Sequence, residues 1–335
     1  MRQAITAYSY VGLWIFLSGS VIMFNKYILS YAGFPFPIAL TLWHMIFCSA
    51  LAIGLVRSGR VQSVHMDMNT YMRAVVPIGA CYAASLWVGN SAYLYLSVSF
   101  IQMLKALMPV AVFSIGCGFG TERFKWDTLG NMALVTLGVA IASYGEIAFS
   151  AIGVAYQLAS IAAESIRLVL VQLLLQSRGL KLNPVTTLYY VSPCCAAFLA
   201  PFWAAIELPR MRVAVDPFPS PAIFVANAAV AFGLNIAVFL LIGKTSALTM
   251  NIAGVVKDWL LIGLSVTVYG SAVSSINLGG YIIAFVAVCW YNYRKIRDAQ
   301  RAAAIAANAA STARDEEVVA LVSQAPPRHT RDSER

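Results

Sequence analysis

The stretch TMNIAGVVKDWLLIGLSV, residues 249–266, is apolar apart from Lys257 and Asp258 and is long enough to cross most of a lipid bilayer. A second stretch, SFIQMLKALMPVAVFS, residues 99–114, contains Lys105 in the same kind of setting. An ionised group at the bilayer centre costs about 2.5–3.5 kcal/mol even on the experimental insertion scale, which gives the smallest penalties. We therefore expect these lysines to face a polar cavity that binds an anion.

Similar apolar runs fill most of the chain. Of its 335 residues, 60% are hydrophobic and 11% are charged, whereas soluble domains average about 25% charged residues. Runs of about 20 residues, rather than about 10 with alternating polarity, favour helices over a transmembrane barrel. The sequence therefore predicts an all-α polytopic membrane protein. Its ten predicted spans are residues 8–29, 36–56, 74–96, 99–120, 128–148, 150–176, 185–206, 220–242, 245–268 and 273–293.

Ten spans divide into two sets of five. Because five is odd, the two sets would have opposite orientations in the membrane, which is the inverted-repeat plan of many secondary transporters with a binding site between the halves. Lys105 lies in span four and Lys257 in span nine, which are equivalent positions in the two halves. Lys26 in span one and Arg167 in span six form a weaker second pair. The predicted divisions are a first half, 1–148, a second half, 149–293, and a largely disordered cytosolic tail, 294–335.

The basic residues outside the spans predict the orientation. Most of them fall on one face or at the chain ends: Arg2, Arg57, Arg60, Arg73, Arg123, Lys125, Arg178, Lys181, Lys244, Arg294, Lys295, Arg297 and Arg301. The opposite face has Arg210 and Arg212, with Lys26 near its end of span one. We expect both termini in the cytosol, and the net charge of +9 reflects this bias rather than nucleic-acid binding. Because no transit peptide precedes the first span, we expect a Golgi or endoplasmic reticulum membrane rather than a plastid envelope.

No motif in the chain indicates an enzyme, a cofactor or a metal site. The six cysteines all lie in hydrophobic spans, and adjacent Cys194 and Cys195 lack the second pair that a zinc site needs. His44 is the one embedded histidine, for which we expect a hydrogen bond between helices. The sequence contains no His-Glu-x-x-His motif and no phosphate-binding loop. A secondary carrier is the favoured class, and a membrane adaptor that transports nothing is the alternative.

Three further stretches carry a family resemblance: FNKYIL at 24–29, LSVSFIQMLKALMP at 96–109 and KTSALTMNIAGVVKD at 244–258. Together they resemble the triose-phosphate translocator and nucleotide-sugar transporter family, part of the drug/metabolite transporter superfamily, over residues 8–298. The resemblance implies the ten-helix inverted-repeat fold and exchange of organic phosphates.

The plastid sugar-phosphate members of that family clamp the substrate phosphate with a lysine at the position of Lys105 and a Lys-Arg pair at the position of Lys257-Asp258. Here aspartate replaces the arginine. Leu86, Gly89 and Leu234 replace a histidine, a threonine and a tyrosine that the plastid members have at these positions. The resemblance therefore places this chain in a separate Lys-Asp branch, whose members are often named probable sugar phosphate/phosphate translocators.

The substitution of aspartate for arginine has an electrostatic consequence. Two lysines and one carboxylate offer a net charge of +1 at most, and the bidentate grip of arginine on phosphate is lost. A compact sugar phosphate should then bind poorly, whereas a nucleotide sugar spreads its charge and gains affinity through its base and ribose. We expect an antiporter that exchanges a nucleotide sugar for a nucleoside monophosphate, acting as a monomer or homodimer. The alternative is exchange of a triose phosphate or phosphoenolpyruvate for phosphate.

Seven residues are candidates for substrate binding, and each has a structural alternative: Lys105, Lys257, Asp258, Lys26, Asn90, Asn235 and Arg167. Lys257 and Asp258 could pair with each other, although neighbouring side chains on a helix point about 100° apart. Lys105 could pair with Glu164 or Asp258, and Arg167 could pair with Glu164 one turn away.

Lys26 could extend towards the membrane interface, because it lies near a helix end. Asn90 and Asn235 each lie one span before an embedded lysine. Both could bind the substrate or hold neighbouring helices together.

Overall fold

In a computed structural model, the chain consists of helices joined by loops over the residues that the structure describes, which are 2–62, 66–122, 124–178, 184–214, 218–241 and 247–323. The principal helices are α1 Arg2–Ser30, α2 Pro37–Arg57, α3 Val76–Ala92, α4 Val98–Leu104, α5 Met108–Gly118, α6 Trp126–Tyr144, α7 Ala151–Arg178, α8 Pro184–Phe202, α9 Pro221–Leu241, α10 Ala247–Tyr269 and α11 Ser275–Ser323. Shorter segments adjoin them: Met68–Thr70 and a π-helical turn Tyr71–Val75 before α3, a 3₁₀ turn Lys105–Leu107 between α4 and α5, and a π-helical turn Trp203–Glu207 followed by Leu208–Arg212 after α8.

Eight stretches within the described ranges are long and apolar enough to cross a membrane: Ser9–Ser30, Pro37–Arg57, Met68–Ala92, Val98–Gly118, Ala151–Leu173, Val185–Arg212, Pro221–Val238 and Ser275–Arg301. The prediction of an all-α polytopic membrane protein is therefore confirmed. Helices α6 and α10 coincide with the other two predicted spans, 128–148 and 245–268, but are not among these eight. The predicted junction at Gly243-Lys244 lies outside the described residues. By their contacts, residues 1–289 form one compact unit and residues 290–335 a second.

The helices of the first unit pack in a defined set of pairs. Helix α3 contacts α7 and α8, α1 contacts α9 and α10, and α2 contacts α8 and α9. The two parts of span four are shared, since α4 packs on α10 and α5 packs on α7. Helices in lipid gain little from the hydrophobic effect, so close packing and hydrogen bonds between them provide the stabilisation.

Helices α6 and α11 approach closely because small residues face each other. A Cβ on Gly280 would lie 2.2 Å from the Ala142 backbone nitrogen, and one on Gly138 would lie 2.4 Å from that of Ala284. The Asn277 side-chain amide reinforces this contact by donating to the Ala142 carbonyl at 2.9 Å. Larger side chains at either glycine would force the two helices apart.

A buried chain of polar side chains joins α1, α2, α3 and α9. Asn25 donates to Asn90 at 3.2 Å and accepts from Asn227 at 3.0 Å. Asn90 donates to Thr41 at 2.8 Å, and His44 hydrogen-bonds Asn227. All five side chains are buried, and the predicted interhelical hydrogen bond of His44 is confirmed. These bonds link the first three spans to the eighth.

Glu207 caps the start of α2 from a distant part of the chain. Its two carboxylate oxygens accept from the backbone nitrogens of Ile38 at 2.9 Å and Ala39 at 2.7 Å. Helix α2 needs this partner because Phe36 offers no side-chain cap, and a carboxylate at a helix N-terminus also complements the helix dipole. Glu207 is 3% exposed, so the cap is shielded from solvent.

Candidate substrate-binding site

Lys105 lies where span four is interrupted. Helix α4 ends at Leu104, and a 3₁₀ turn covers Lys105–Leu107 before α5 begins. Pro109 has no backbone N–H to donate to the Lys105 carbonyl, which instead accepts from Met108 in the tighter 3₁₀ geometry. The proline therefore produces a local irregularity beside the candidate site, as a kink-forming residue should.

The structure brings Lys105 close to charged side chains from two other spans. Lys105 interacts electrostatically with Asp258 on α10 and with Glu164 on α7, and Lys257 in turn interacts with Lys105. These are the two carboxylates considered above as alternative partners of Lys105. Within the described ranges, however, neither forms an ion pair or hydrogen bond with it. The Lys105 ammonium group can therefore still donate hydrogen bonds to a ligand, although two carboxylates lie near it.

Lys257 and Asp258 form an ion pair, with 3.3 Å between Lys257 Nζ and Asp258 Oδ1. The pairing left open from the sequence therefore forms, although neighbouring side chains on a helix point about 100° apart. The lysine side chain is long enough to reach the Asp258 carboxylate although the two Cβ atoms point in different directions. Its ammonium also lies 5.7 Å from the centre of the Trp14 ring. The two side chains are 18% and 32% exposed, so the pair is only partly buried.

Glu164 and Arg167 form the second ion pair near Lys105. Arg167 Nε donates to Glu164 Oε2 at 2.8 Å, which confirms the pairing predicted from their spacing of three residues. Ser85 on α3 also donates to Glu164, at 3.3 Å, and the Arg167 guanidinium lies 4.9 Å from the centre of the Tyr82 ring. Both partners are therefore held by side chains of α3 as well as by each other.

These five side chains form what we call the charge cluster: Lys105, Lys257, Asp258, Glu164 and Arg167. Three cations and two anions give it a net charge of +1 when all are ionised. Because each carboxylate is already engaged with a cation, an incoming phosphate group must compete with Asp258 for Lys257 and with Glu164 for Arg167. Opposite charges near a protein surface attract by about 4 kcal/mol at 4 Å, so this competition should strongly affect which anions bind.

Three of the seven candidates lie apart from the charge cluster. Lys26 donates to the carbonyls of Tyr93 at 2.6 Å and Leu96 at 3.0 Å, so its ammonium holds the turn after α3 instead of extending to the interface. Asn90 belongs to the buried polar chain, and Asn235 donates to the Ala231 carbonyl of its own helix at 2.9 Å. Substrate roles for these three stay predictions.

Two polar residues that bond to distant parts of the chain, Glu207 and Asn227, were missed in the sequence analysis. Glu207 and Asn227 stand in apolar stretches with no motif around them. Their partners are 169 and 202 residues away in the chain. The only available signal was that polar residues within a membrane span need a partner.

Comparison with known proteins shows that the chain is similar to membrane carriers. A model of the Triose-phosphate Transporter family matches residues 5–292. A protein of Arabidopsis thaliana named "probable sugar phosphate/phosphate translocator" is 56% identical over 300 residues, which are 89% of this chain and 86% of that protein. The UDP-uronic acid transporter 1 of the same plant is 31% identical over 291 residues, 85% of this chain and 94% of its own. One solved structure, 16% identical, covers 86% of this chain and 95% of its own with a TM-score of 0.50, which bears on the fold alone.

Proposed function

The chain belongs to the triose-phosphate transporter family, as its motifs predicted, and on that premise we propose that it exchanges a nucleotide sugar for a nucleoside monophosphate. The relatives are named as translocators and transporters rather than enzymes. Their names refer to phosphate-linked small molecules, which agrees with a cationic cluster inside a membrane protein. The candidate binding residues are Lys105, Lys257, Asp258 and Arg167, with Lys26, Asn90 and Asn235 as further candidates.

The observation that carries this proposal is the presence of two carboxylates among the lysines. Asp258 lies 3.3 Å from Lys257, and Asp258 and Glu164 both interact with Lys105. A terminal phosphate group carries about 1.5–2 negative charges on one phosphorus, so it suffers strong repulsion from these carboxylates. A bridged diphosphate carries one charge on each phosphorus. The nucleotide sugar and the counter-substrate nucleoside monophosphate also gain base and ribose contacts, which offset this repulsion and which a compact sugar phosphate lacks. The cluster therefore favours a nucleotide sugar over a compact sugar phosphate.

The names of the relatives support two readings. A UDP-uronic acid transporter is a nucleotide-sugar carrier, and it is 31% identical to this chain. The relatives at 48–56% identity are named sugar phosphate/phosphate translocators. Those names favour the second candidate function, exchange of a triose phosphate or phosphoenolpyruvate for phosphate. We prefer the first because Asp258 stands where the plastid-type clamp would have arginine.

The packing of the helices supports a ten-span fold with a 5+5 inverted repeat, which would operate by alternating access. With the helices numbered as the ten predicted spans, three contacts of spans in the first half have counterparts in the second. Span 3 contacts 6 as 8 contacts 1, span 4 contacts 6 as 9 contacts 1, and span 3 contacts 7 as 8 contacts 2. Exchanging the two halves converts each pair into its partner. Spans 2 with 3 and 7 with 8 are related in the same way, and the pairs 2 with 7, 4 with 9 and 5 with 10 map onto themselves, whereas 4 with 5 and 1 with 4 are contacts of the first half alone in this set. Such a pattern is expected when two similar halves, 1–148 and 149–293, enclose a shared site.

We also infer a Golgi or endoplasmic reticulum location with both termini in the cytosol, and a monomer or homodimer as the working unit. The distribution of basic residues supports this orientation. A tag at the C-terminus should accordingly be accessible to antibody after selective permeabilisation of the plasma membrane. A tag that needs permeabilised internal membranes would contradict this orientation.

Counter-exchange in proteoliposomes tests the substrate. Vesicles containing the purified full chain would be preloaded with nucleoside monophosphates or with phosphate, and labelled nucleotide sugars and sugar phosphates would be offered outside. We expect uptake of a nucleotide sugar only into monophosphate-loaded vesicles. Uptake of a sugar phosphate into phosphate-loaded vesicles would instead establish the second candidate function.

The matched control for this assay is a pair of lysine variants. Lys257→Gln should abolish uptake, whereas Lys125→Gln, at an exposed position just before α6, should leave it unchanged. Flux that survives Lys257→Gln would show that Lys257 is structural, whereas the absence of any flux would favour an adaptor over a carrier.

A further inference from the structure

An apolar groove lies between α2 and α9, away from the charge cluster. Its volume is about 530 Å³, and its lining includes Trp43, Phe224, Trp203 and Met211. Ile46 and Val225, which also line it, are 49% and 46% exposed. Both lie within stretches that are long and apolar enough to cross a membrane. The groove therefore opens towards the lipid and has a size typical of small-molecule sites.

Two arginines are chain neighbours of a residue that lines this groove. Arg210 and Arg212 flank the groove-lining Met211 on the short helix Leu208–Arg212, and both are exposed. Arg210 also interacts electrostatically with Glu207, whereas Arg212 has no hydrogen bond or ion pair to the described part of the chain. A guanidinium beside an apolar groove is suited to a ligand with an anionic head and an apolar tail.

The position of these arginines is unusual for this end of the bundle. Contacts bring together the loops after α1, α3, α6 and α10: Lys26 binds the turn after α3, Tyr31 stacks on Tyr269, and Ser274 donates to Gly145. These loops, residues 31–36, 93–97, 145–150 and 270–274, contain no lysine or arginine. The exposed positive charge at this end of the described structure is thus concentrated beside the groove.

We propose that the groove binds one anionic phospholipid, with its phosphate on Arg210 and Arg212 and an acyl chain between α2 and α9. The apolar lining suits the chain, and the two guanidinium groups supply the charge complementarity for the head. A lipid at this position would contact α2 and α9, which belong to the first and second predicted halves. It would therefore be placed to influence their relative movement, independently of which substrate is carried.

Native mass spectrometry of the purified full chain tests this proposal. The protein in detergent would be mixed with phosphatidylserine or phosphatidylcholine of identical acyl chains, and the bound lipids would be counted. Each basic residue near a membrane surface favours anionic lipid by about 5-fold, so two should favour phosphatidylserine by roughly 30-fold. We expect one such lipid to be retained selectively.

The double variant R210Q/R212Q should lose this preference. The matched variant R57Q/R60Q, which removes two exposed arginines at the far end of α2, should keep it. Equal retention of the two lipids by the unmodified chain, or equal loss in both variants, would overturn the proposal.

A second measurement does not depend on the arginine variants folding normally. Phosphatidylserine with brominated chains should quench part of the tryptophan fluorescence. Trp43→Phe should reduce the quenched fraction more than Trp14→Phe, because Trp14 is not among the residues that line this groove. A dimer with no lipid-dependent quenching of Trp43 would show that a second copy of the chain covers the groove instead.

Discussion

Replacing Asp258 with asparagine should shift the carrier's preference towards compact phosphates. Asp258→Asn keeps the shape of the side chain but removes the charge that lies 3.3 Å from Lys257 Nζ. Lys257 then loses its counter-ion and becomes fully available to substrate. The repulsion between Asp258 and the substrate phosphate also disappears, and this effect depends on how much charge each phosphorus carries.

The magnitude follows from the geometry. A phosphate bound to the far side of the Lys257 ammonium would lie about 6 Å from the Asp258 carboxylate, given hydrogen bonds of about 2.8 Å. Each unit of phosphate charge is then repelled by about 2.8 kcal/mol at an effective dielectric constant of about 20, and by about 0.7 kcal/mol in bulk water. A terminal phosphate carries up to about one charge more than a bridging phosphate. The variant should therefore improve phosphate relative to nucleotide sugar by about 3- to 100-fold.

Competitive uptake into proteoliposomes measures this change. The ratio of kcat/KM for phosphate to that for the preferred nucleotide sugar would be compared between the unmodified chain and Asp258→Asn. Asp127→Asn, an exposed change in the first turn of α6, serves as the control with the same loss of charge. An unchanged ratio, or a shift towards the nucleotide sugar, would refute the electrostatic account of specificity.

Three further predictions concern other parts of the molecule. Lys105→Gln should raise the KM for exchange without abolishing transport at saturating substrate, and it should leave the thermal transition in detergent unchanged, because Lys105 has no close ion pair or hydrogen bond within the described structure; a variant that loses its fold would contradict this. Gly280→Ala should lower that transition, since its Cβ would lie 2.2 Å from the Ala142 nitrogen, whereas Gly279→Ala, whose Cβ meets nothing within 4 Å, should not. Asn227→Ala should destabilise the bundle by about 1 kcal/mol, because two interhelical hydrogen bonds are lost. The measurement is the shift in thermal midpoint. Asn235→Ala, which breaks only a bond within its own helix, should have a smaller effect.

The all-α membrane fold could be predicted from sequence because the physics of the bilayer leaves few choices. Apolar runs near 20 residues must form helices, since every backbone polar group needs a partner in lipid. The same reasoning identified Lys105 and Lys257 as residues that require a polar environment. The pairing of Glu164 with Arg167 followed from helical spacing alone.

Contacts between distant parts of the chain could not be obtained in this way. The carboxylate of Glu207 caps α2, and Asn227 bonds to Asn25 across 202 residues. No local pattern encodes such a partner. The sequence left the pairing of Lys257 with Asp258 undecided for a different reason, because helical geometry fixes the direction of the Cβ atoms but not the reach of a long, flexible lysine side chain.

The distribution of ion pairs also bears on why such a carrier would exchange its substrates instead of releasing them singly. In the charge cluster, Lys257 has Asp258 as a close counter-ion and Arg167 has Glu164, but Lys105 has none within ion-pairing distance among the described residues. An unpaired cation deep in a membrane protein costs about 2.5–3.5 kcal/mol or more, and a bound substrate phosphate would supply the missing partner. The empty carrier must therefore rearrange with Lys105 unpaired, whereas the loaded carrier need not. On this argument the residual charge on Lys105, rather than the total charge of the site, opposes the return of the empty carrier. Lys105→Gln should accordingly increase efflux from preloaded vesicles when no substrate is present outside, and strict exchange that survives this change would assign the barrier to another residue.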